Sequence, residues 1–257
     1  MIEILWASFV AEDDAKPIVM IEENMGIESD TNIVSNELEA FTITRIEAEQ
    51  PKCIALFAVG RGGNPARHHH LLQTMANRSC TVIAPHFEML ASSVPTKAEL
   101  DMRIHRLEAS IDSCAYSNLP IVGIGHSIGA TALLALQGAE GETLDGQQLI
   151  TGSTPRLERL ALLAPPTDFF RRPGALHRIK MPMKIWVGAK DTITPPAQSR
   201  FLMDVLAAQA SVAVQVDPDA GHFTYMDELP PNVPEPHPDR NTFLAGLADE
   251  ITAFLVA

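Results

Sequence analysis

The chain has 257 residues, and 46% of them are hydrophobic, which is enough to bury one large core. The 32 acidic residues outnumber the 19 basic ones, and the resulting net charge of −13 argues against binding to nucleic acid or to an anionic membrane surface. We therefore expect a single domain over residues 1–257, with neither nucleic acid nor membrane as a partner.

Three cysteines, Cys53, Cys80 and Cys114, lack the spacing of a metal site or a disulfide framework. They are typical of packing residues in a reducing compartment. Residues 1–10 have no basic leader, and no run of about 18 uninterrupted apolar residues occurs in the chain. These features predict a cytoplasmic protein without a membrane span.

The predicted elements begin with two strands, at 2–10 and 41–47, which would extend a sheet at one edge within residues 1–50. From about residue 52, short apolar runs alternate with longer helical segments. This pattern predicts an α/β fold with a mostly parallel sheet and helices on both faces. The near-continuous apolar runs typical of strands buried on both faces are 53–59, 81–84, 121–124, 160–163, 184–187 and 212–216.

Helices are expected between these strands. The spacing of Thr96 and Glu99 is that of a capping box, and it predicts a helix from Thr96 to about residue 116. A last helix is predicted over about 240–254. The segments 139–156 and 230–238 are rich in Gly, Pro and polar residues, which is typical of surface loops.

The segment Gly125-His-Ser-Ile-Gly129 lies between a predicted buried strand and a predicted helix. A sharp turn from strand to helix strains the backbone of its serine and exposes the hydroxyl above the sheet, which makes Ser127 a candidate nucleophile. The amide of Ile128 would then lie at a helix N-terminus, where it could stabilise an oxyanion. The alternative is that Ser127 only begins the helix.

An activated serine needs a base and an acid that orients the base. Asp191 follows the strand 184–187, and His222 follows the last strand, so both would lie at the carboxyl edge of the sheet with Ser127. Asp191 could instead cap the next helix, and Asp168, after the preceding strand, is a rival for the acid. His222 could be an ordinary loop histidine.

These motifs, together with Gly188-Ala-Lys-Asp191 and Ala220-Gly-His222, resemble the α/β-hydrolase family over about residues 40–257. More loosely, the sequence after Gly221 resembles dienelactone-hydrolase-like members, although dienelactone hydrolases proper have a cysteine where this chain has Ser127. The resemblance implies that Ser127 attacks an acyl carbonyl, His222 transfers the proton and Asp191 stabilises the imidazolium.

The family takes a second oxyanion donor from the loop after an earlier strand, which here is Val59-Gly-Arg-Gly-Gly63. By position, the resemblance implies the amide of Arg61, although Val59 stands where a histidine is usual.

No metal or cofactor is expected. Consecutive helical residues point about 100° apart, so His68, His69 and His70 cannot converge on one ion and are better explained as a helix start. The glycines of 123–129 have the wrong spacing for a dinucleotide site.

The sequence therefore predicts a serine hydrolase that cleaves a small or medium carboxylic ester or thioester through an acyl-enzyme. The segment 163–184 is too short for a large cap domain, which leaves an open site for a small acyl substrate. Apolar candidates for its pocket are Phe169, Phe170, Phe223, Tyr225 and Met226. The alternative is a binding protein of the same fold without catalysis, and the sequence leaves both the natural substrate and the oligomeric state open.

Overall fold

A computed structural model describes residues 19–22, 29–35, 40–113, 118–152 and 156–257. Its strands are β1 (Val19–Glu22), β2 (Ser29–Ser35), β3 (Ala40–Ile46), β4 (Cys53–Ala58), β5 (Cys80–Pro85), β6 (Ile121–His126), β7 (Leu157–Leu163), β8 (Met183–Gly188) and β9 (Val212–Asp217). Its α-helices are α1 (His69–Asn77), α2 (Lys97–Asp112), α3 (Ile128–Leu136), α4 (Pro196–Leu206) and α5 (Arg240–Val256).

The strands form one sheet in the order β1-β2-β3-β5-β4-β6-β7-β8-β9. The six strands from β5 to β9 in this order are parallel, and β1, β2 and β3 add to them in antiparallel pairs at one edge. Every residue of β4 and β5 is buried, which explains their uninterrupted apolar sequences. Helices cover the two faces, with α1 packed on α5 and α2 on α3. The predicted fold class is confirmed.

The order of the strands reverses at β4, because β5 lies on one side of it and β6 on the other. The connections that follow β4 and β6 therefore leave the sheet in opposite directions and open a crevice at its carboxyl edge. The loop 59–63 and Ser127 both lie at this crevice.

The predicted strands from residue 53 onward are all present, with ends that differ by a few residues. The capping box of Thr96 and Glu99 is confirmed, and the helix after it ends at Asp112. The edge strands β1 and β2 were not predicted, because β1 contains only three apolar residues and five of the seven residues of β2 are polar. The predicted strand 2–10 and Cys114 lie outside the described residues. No helix in the described ranges combines the length and apolarity that crossing a bilayer requires.

Candidate active site

Ser127 occupies a sharp turn between β6 and α3. Its backbone has φ 53° and ψ −128°, a conformation that L-residues rarely adopt. A Cβ on Gly125 would lie 2.6 Å from the Cα of Ala130, and one on Gly129 would lie 2.0 Å from the carbonyl oxygen of Ala58. Both glycines are therefore required by close backbone packing, as the sequence motif suggested.

The two backbone amides at this turn differ in their hydrogen bonding. The N–H of Ser127 donates a hydrogen bond to the carbonyl of Leu163 at 2.9 Å. The N–H of Ile128, the first residue of α3, has no acceptor among the residues that the structure describes. This amide is available to a ligand, at the positive end of a helix dipole.

His222 and Asp191 meet Ser127 at the carboxyl edge of the sheet. His222 Nε2 lies 2.9 Å from Ser127 Oγ, and His222 Nδ1 lies 2.9 Å from Asp191 Oδ2. The loops after β8 and β9 approach closely because Gly188 has no side chain, since a Cβ there would lie 2.0 Å from the carbonyl oxygen of Ala220. The structure thus brings together three side chains that are distant in sequence.

Asp191 is buried and fully hydrogen-bonded. Its Oδ1 accepts from the amides of Ile193 and Thr194 at 2.8 Å each, and its Oδ2 accepts from the Thr194 hydroxyl at 2.7 Å as well as from His222. Burial alone would raise the pKa of Asp191, but the hydrogen bond and charge of His222 and the Thr194 donors outweigh burial and lower this pKa. The carboxylate is therefore ionised and can hold the Nδ1–H of His222.

Asp168, the rival acid, lies elsewhere. Its carboxylate is about half exposed and forms an ion pair with Arg171 at 3.0 Å, and it accepts a hydrogen bond from Gln198 at 3.3 Å. Of the two candidates, only Asp191 contacts His222 in the described structure.

A buried histidine chain, which the sequence analysis missed, lies behind these residues. His126 Nε2 is 3.0 Å from the carbonyl oxygen of His222, and His126 Nδ1 is 3.2 Å from His68 Nε2. Because a carbonyl only accepts, His126 Nε2 carries the hydrogen, and the neutral ring accepts at Nδ1 from His68. Burial, together with the charge of His222, lowers the pKa of His126 to about 3. The hydrogen bond from His126 to the carbonyl of His222 therefore holds the backbone of the candidate base in place.

The loop after β4 carries the second predicted oxyanion donor. A Cβ on Gly60 would lie 3.4 Å from Ser127 Cβ, so the loop passes directly beside the serine. The amide of Arg61 has no acceptor among the described residues, and its side chain turns away to donate from Nε to the carbonyl of Leu90 at 3.1 Å. The assignment of Arg61 as a donor stays a prediction.

Neither a sequence-family profile nor a curated protein sequence matches this chain. Solved structures do match it, at low sequence identity. A dienelactone hydrolase from Anabaena variabilis is 15% identical, with a TM-score of 0.61, and the match covers 93% of this chain and 97% of the other. An esterase from Pyrococcus furiosus is 14% identical, with a TM-score of 0.60 and coverage of 93% and 91%. An esterase from Rhizomucor miehei is 13% identical, with a TM-score of 0.62 and coverage of 93% and 83%.

The chain has the α/β-hydrolase fold. In this fold, Ser127, Asp191 and His222 follow β6, β8 and β9 in turn, so each side chain stands at the end of a parallel strand.

The five predicted pocket residues have different surroundings within the α/β-hydrolase fold. Phe169, Phe170 and Tyr225 belong to the hydrophobic core, and Met226 is also buried. Phe223 is partly exposed, and its ring lies edge-on to His222 with centroids 5.0 Å apart. A role for these residues in an acyl pocket stays a prediction.

The three consecutive histidines separate at the start of α1. His68 is buried against His126, whereas His69 and His70 are exposed. No group of three or more His, Cys, Asp or Glu in the described ranges is arranged to hold a metal ion. The only local signal for the contact between His68 and His126 was a histidine directly before Ser127, just after the predicted buried strand 121–124.

Proposed function

We propose that the protein is a serine hydrolase that cleaves a small or medium carboxylic ester or thioester through an acyl-enzyme on Ser127. The observation that carries this proposal is the continuous hydrogen-bonded chain from Ser127 Oγ through both ring nitrogens of His222 to the Asp191 carboxylate. The names of the structural neighbours, which are esterases and a dienelactone hydrolase, support the same reaction class.

In the first step, Ser127 Oγ attacks the acyl carbonyl carbon while His222 Nε2 takes the hydroxyl proton. The carbonyl oxygen becomes an oxyanion, for which the amide of Ile128 and the predicted amide of Arg61 are donors. Collapse of this intermediate expels the alcohol or thiol, which receives the proton from His222, and leaves the acyl group on Ser127. Asp191 stabilises the imidazolium throughout this step.

In the second step, a water molecule gives a proton to His222 Nε2 and attacks the acyl carbon. The second oxyanion collapses, the carboxylic acid leaves, and Ser127 regains its proton. The strained backbone of Ser127 supports this cycle, because the turn directs its side chain to His222 and places it next to the Ile128 amide.

Two measurements test the proposal. A fluorophosphonate should label the wild-type protein once, and peptide mass mapping should locate the label on Ser127. Hydrolysis of p-nitrophenyl esters of increasing acyl length should be lost in Ser127→Ala. Absence of both labelling and turnover at every acyl length would refute the proposal and favour a binding protein of the same fold.

We further propose a small-molecule acyl substrate and a cytoplasmic location. The location rests on the sequence analysis, because the buried thiols of Cys53 and Cys80 are free but lie 2.7 Å apart, within reach of a disulfide in an oxidising compartment. Fractionation of cells that express a tagged full-length chain would test the location.

A further inference from the structure

Arg103 is a buried cation directly beneath the loop 59–61. It extends from α2, its exposed fraction is 1%, and Nη1 donates to the carbonyls of Val59 and Gly60 at 3.1 Å each. Nη2 lies 3.4 Å from the carbonyl of Arg61 and 3.2 Å from that of Glu88. One guanidinium thus binds three successive carbonyls of the loop beside Ser127.

We propose that Arg103 is a positioning residue that orients the loop 59–61 so that its amides face the oxyanion beside Ser127. This inference rests on the serine hydrolase function proposed above, and it assigns to Arg103 a role that neither the motifs nor the structural neighbours indicate.

The orientation follows from the geometry of the peptide bond. In a trans peptide, the C=O of one residue and the N–H of the next point in opposite directions. Because the carbonyl of Gly60 points at the guanidinium, the N–H of Arg61 points away from it. Gly60 lies directly beside Ser127, so the loop has one side on Arg103 and the other on the nucleophile. Arg103 therefore holds the peptide planes in the arrangement that an oxyanion site needs.

The charge of Arg103 argues for a specific role. Burial lowers the pKa of Arg103 to about 10, while the charges of Glu88 and Glu99 act in the opposite direction, so the side chain stays a cation at neutral pH. Within the described residues, no carboxylate lies within ion-pair distance of it, and its charge is stabilised by carbonyl dipoles and the Phe87 ring at 4.7 Å. A buried cation is costly, and an apolar side chain would pack the same space without that cost.

Other contacts retain the loop when the guanidinium is removed. The carbonyl of Arg61 accepts from the amide of Leu90 at 3.1 Å, and the carbonyl of Gly63 accepts from the amide of Phe87 at 3.0 Å. The loss of Arg103 should therefore loosen the orientation of the peptides 59–61 without detaching the loop from its neighbour.

The test compares Arg103→Met and Arg103→Lys with Arg106→Met in the full-length protein. Arg106 lies one turn further along α2, and the hydrogen bonds that the described residues show for it go to the carbonyl of His86 and the side chain of Glu88, which lie outside the loop 59–61. We expect kcat for a p-nitrophenyl ester to fall about 100-fold in Arg103→Met and about 10-fold in Arg103→Lys, with KM within about threefold of wild type. Arg106→Met should keep kcat within about threefold of wild type.

Two further readouts separate orientation of the loop from general damage. A trifluoromethyl ketone that forms a tetrahedral adduct on Ser127 should bind Arg103→Met more weakly by the same factor as the loss in kcat/KM. The midpoint of the acid limb of the kcat/KM profile should stay at its wild-type pH, because His222 and Asp191 are untouched. Circular dichroism confirms that each variant is folded.

Several results would overturn the inference. A folded Arg103→Met or Arg103→Lys with wild-type kcat would do so, and so would equal losses of kcat in Arg103→Met and Arg106→Met. If both Arg103 variants failed to fold, the guanidinium would be a requirement of the fold and not of the loop. If the wild-type protein neither hydrolysed esters nor reacted with a fluorophosphonate, the proposed function itself would fail, and this inference with it.

Discussion

The backbone strain at Ser127 leads to a prediction about stability that does not depend on the catalytic role of the hydroxyl. We compare Ser127→Gly with Ser127→Ala, because both variants lack the hydroxyl and its hydrogen bond to His222 and differ only in the Cβ. At φ 53° and ψ −128°, a residue with a Cβ stores roughly 1–3 kcal/mol of strain. Glycine relieves this strain but adds about 0.5–1 kcal/mol of conformational entropy to the unfolded state.

The relief of strain minus the entropy cost of glycine predicts that Ser127→Gly is about 1 kcal/mol more stable than Ser127→Ala. For a chain of this length, 1 kcal/mol corresponds to a rise in Tm of about 2–4 °C. Scanning calorimetry and guanidinium chloride denaturation of the two purified variants measure it. Neither variant should hydrolyse p-nitrophenyl acetate.

Ser199 is a matched control, because it is buried inside α4 in a helical conformation. There, glycine should be about 1 kcal/mol less stable than alanine, so the order of the two variants reverses. A Ser127→Gly variant that is no more stable than Ser127→Ala, with the expected order at Ser199, would show that the turn after β6 is not strained.

Three further predictions concern the site and its support. Asp191→Asn should lower kcat by about 10⁴-fold in the folded protein, as measured by steady-state kinetics. The reason is that an amide would stabilise the tautomer of His222 that carries its hydrogen on Nε2, and this tautomer cannot accept the proton of the serine. Gly129→Ala should cost more than about 3 kcal/mol in urea denaturation, because its Cβ would overlap a backbone carbonyl. The pKa of His126 is about 3 in the folded protein and near 6.5 in the unfolded chain, so between these pH values the unfolded state binds more protons. The contribution of neutral His126 to stability is therefore lost as the pH falls from 6.5 toward 3. His126→Gln keeps an N–H for the same carbonyl but does not titrate. Between pH 6.5 and 4.5, its free energy of unfolding should fall less steeply than that of wild type, and the two slopes should differ by up to about 1.4 kcal/mol per pH unit.

Each of the three has its own control. Asp168→Asn should retain kcat, and an equal loss there would contradict the choice of Asp191. Gly62→Ala should change the unfolding free energy by less than about 0.5 kcal/mol, because a Cβ at Gly62 meets no atom within 4 Å. Parallel pH dependences of wild type and His126→Gln would contradict a neutral, buried His126.

The sequence alone determined the parallel strands and the positions of the candidate triad. Strands buried on both faces must be apolar throughout, so they stand out as continuous runs, and residues directly after such strands must share the carboxyl edge of the sheet. This reasoning found Ser127 and His222 without any long-range information, and it left Asp191 and Asp168 as rivals for the acid. It missed β1, which contains only three apolar residues, and β2, in which five of the seven residues are polar.

Only the tertiary structure decided which polar groups contact one another. Asp168 and Asp191 both follow strands, and the crossing of the loops at Gly188 is what brings Asp191 rather than Asp168 to His222. The contact of His68 with His126 joins residues 58 positions apart, and that of Arg103 with Gly60 joins residues 43 positions apart. Such contacts depend on how helices pack over the sheet, and local periodicity contains no information about which side chains that packing brings within hydrogen-bonding distance.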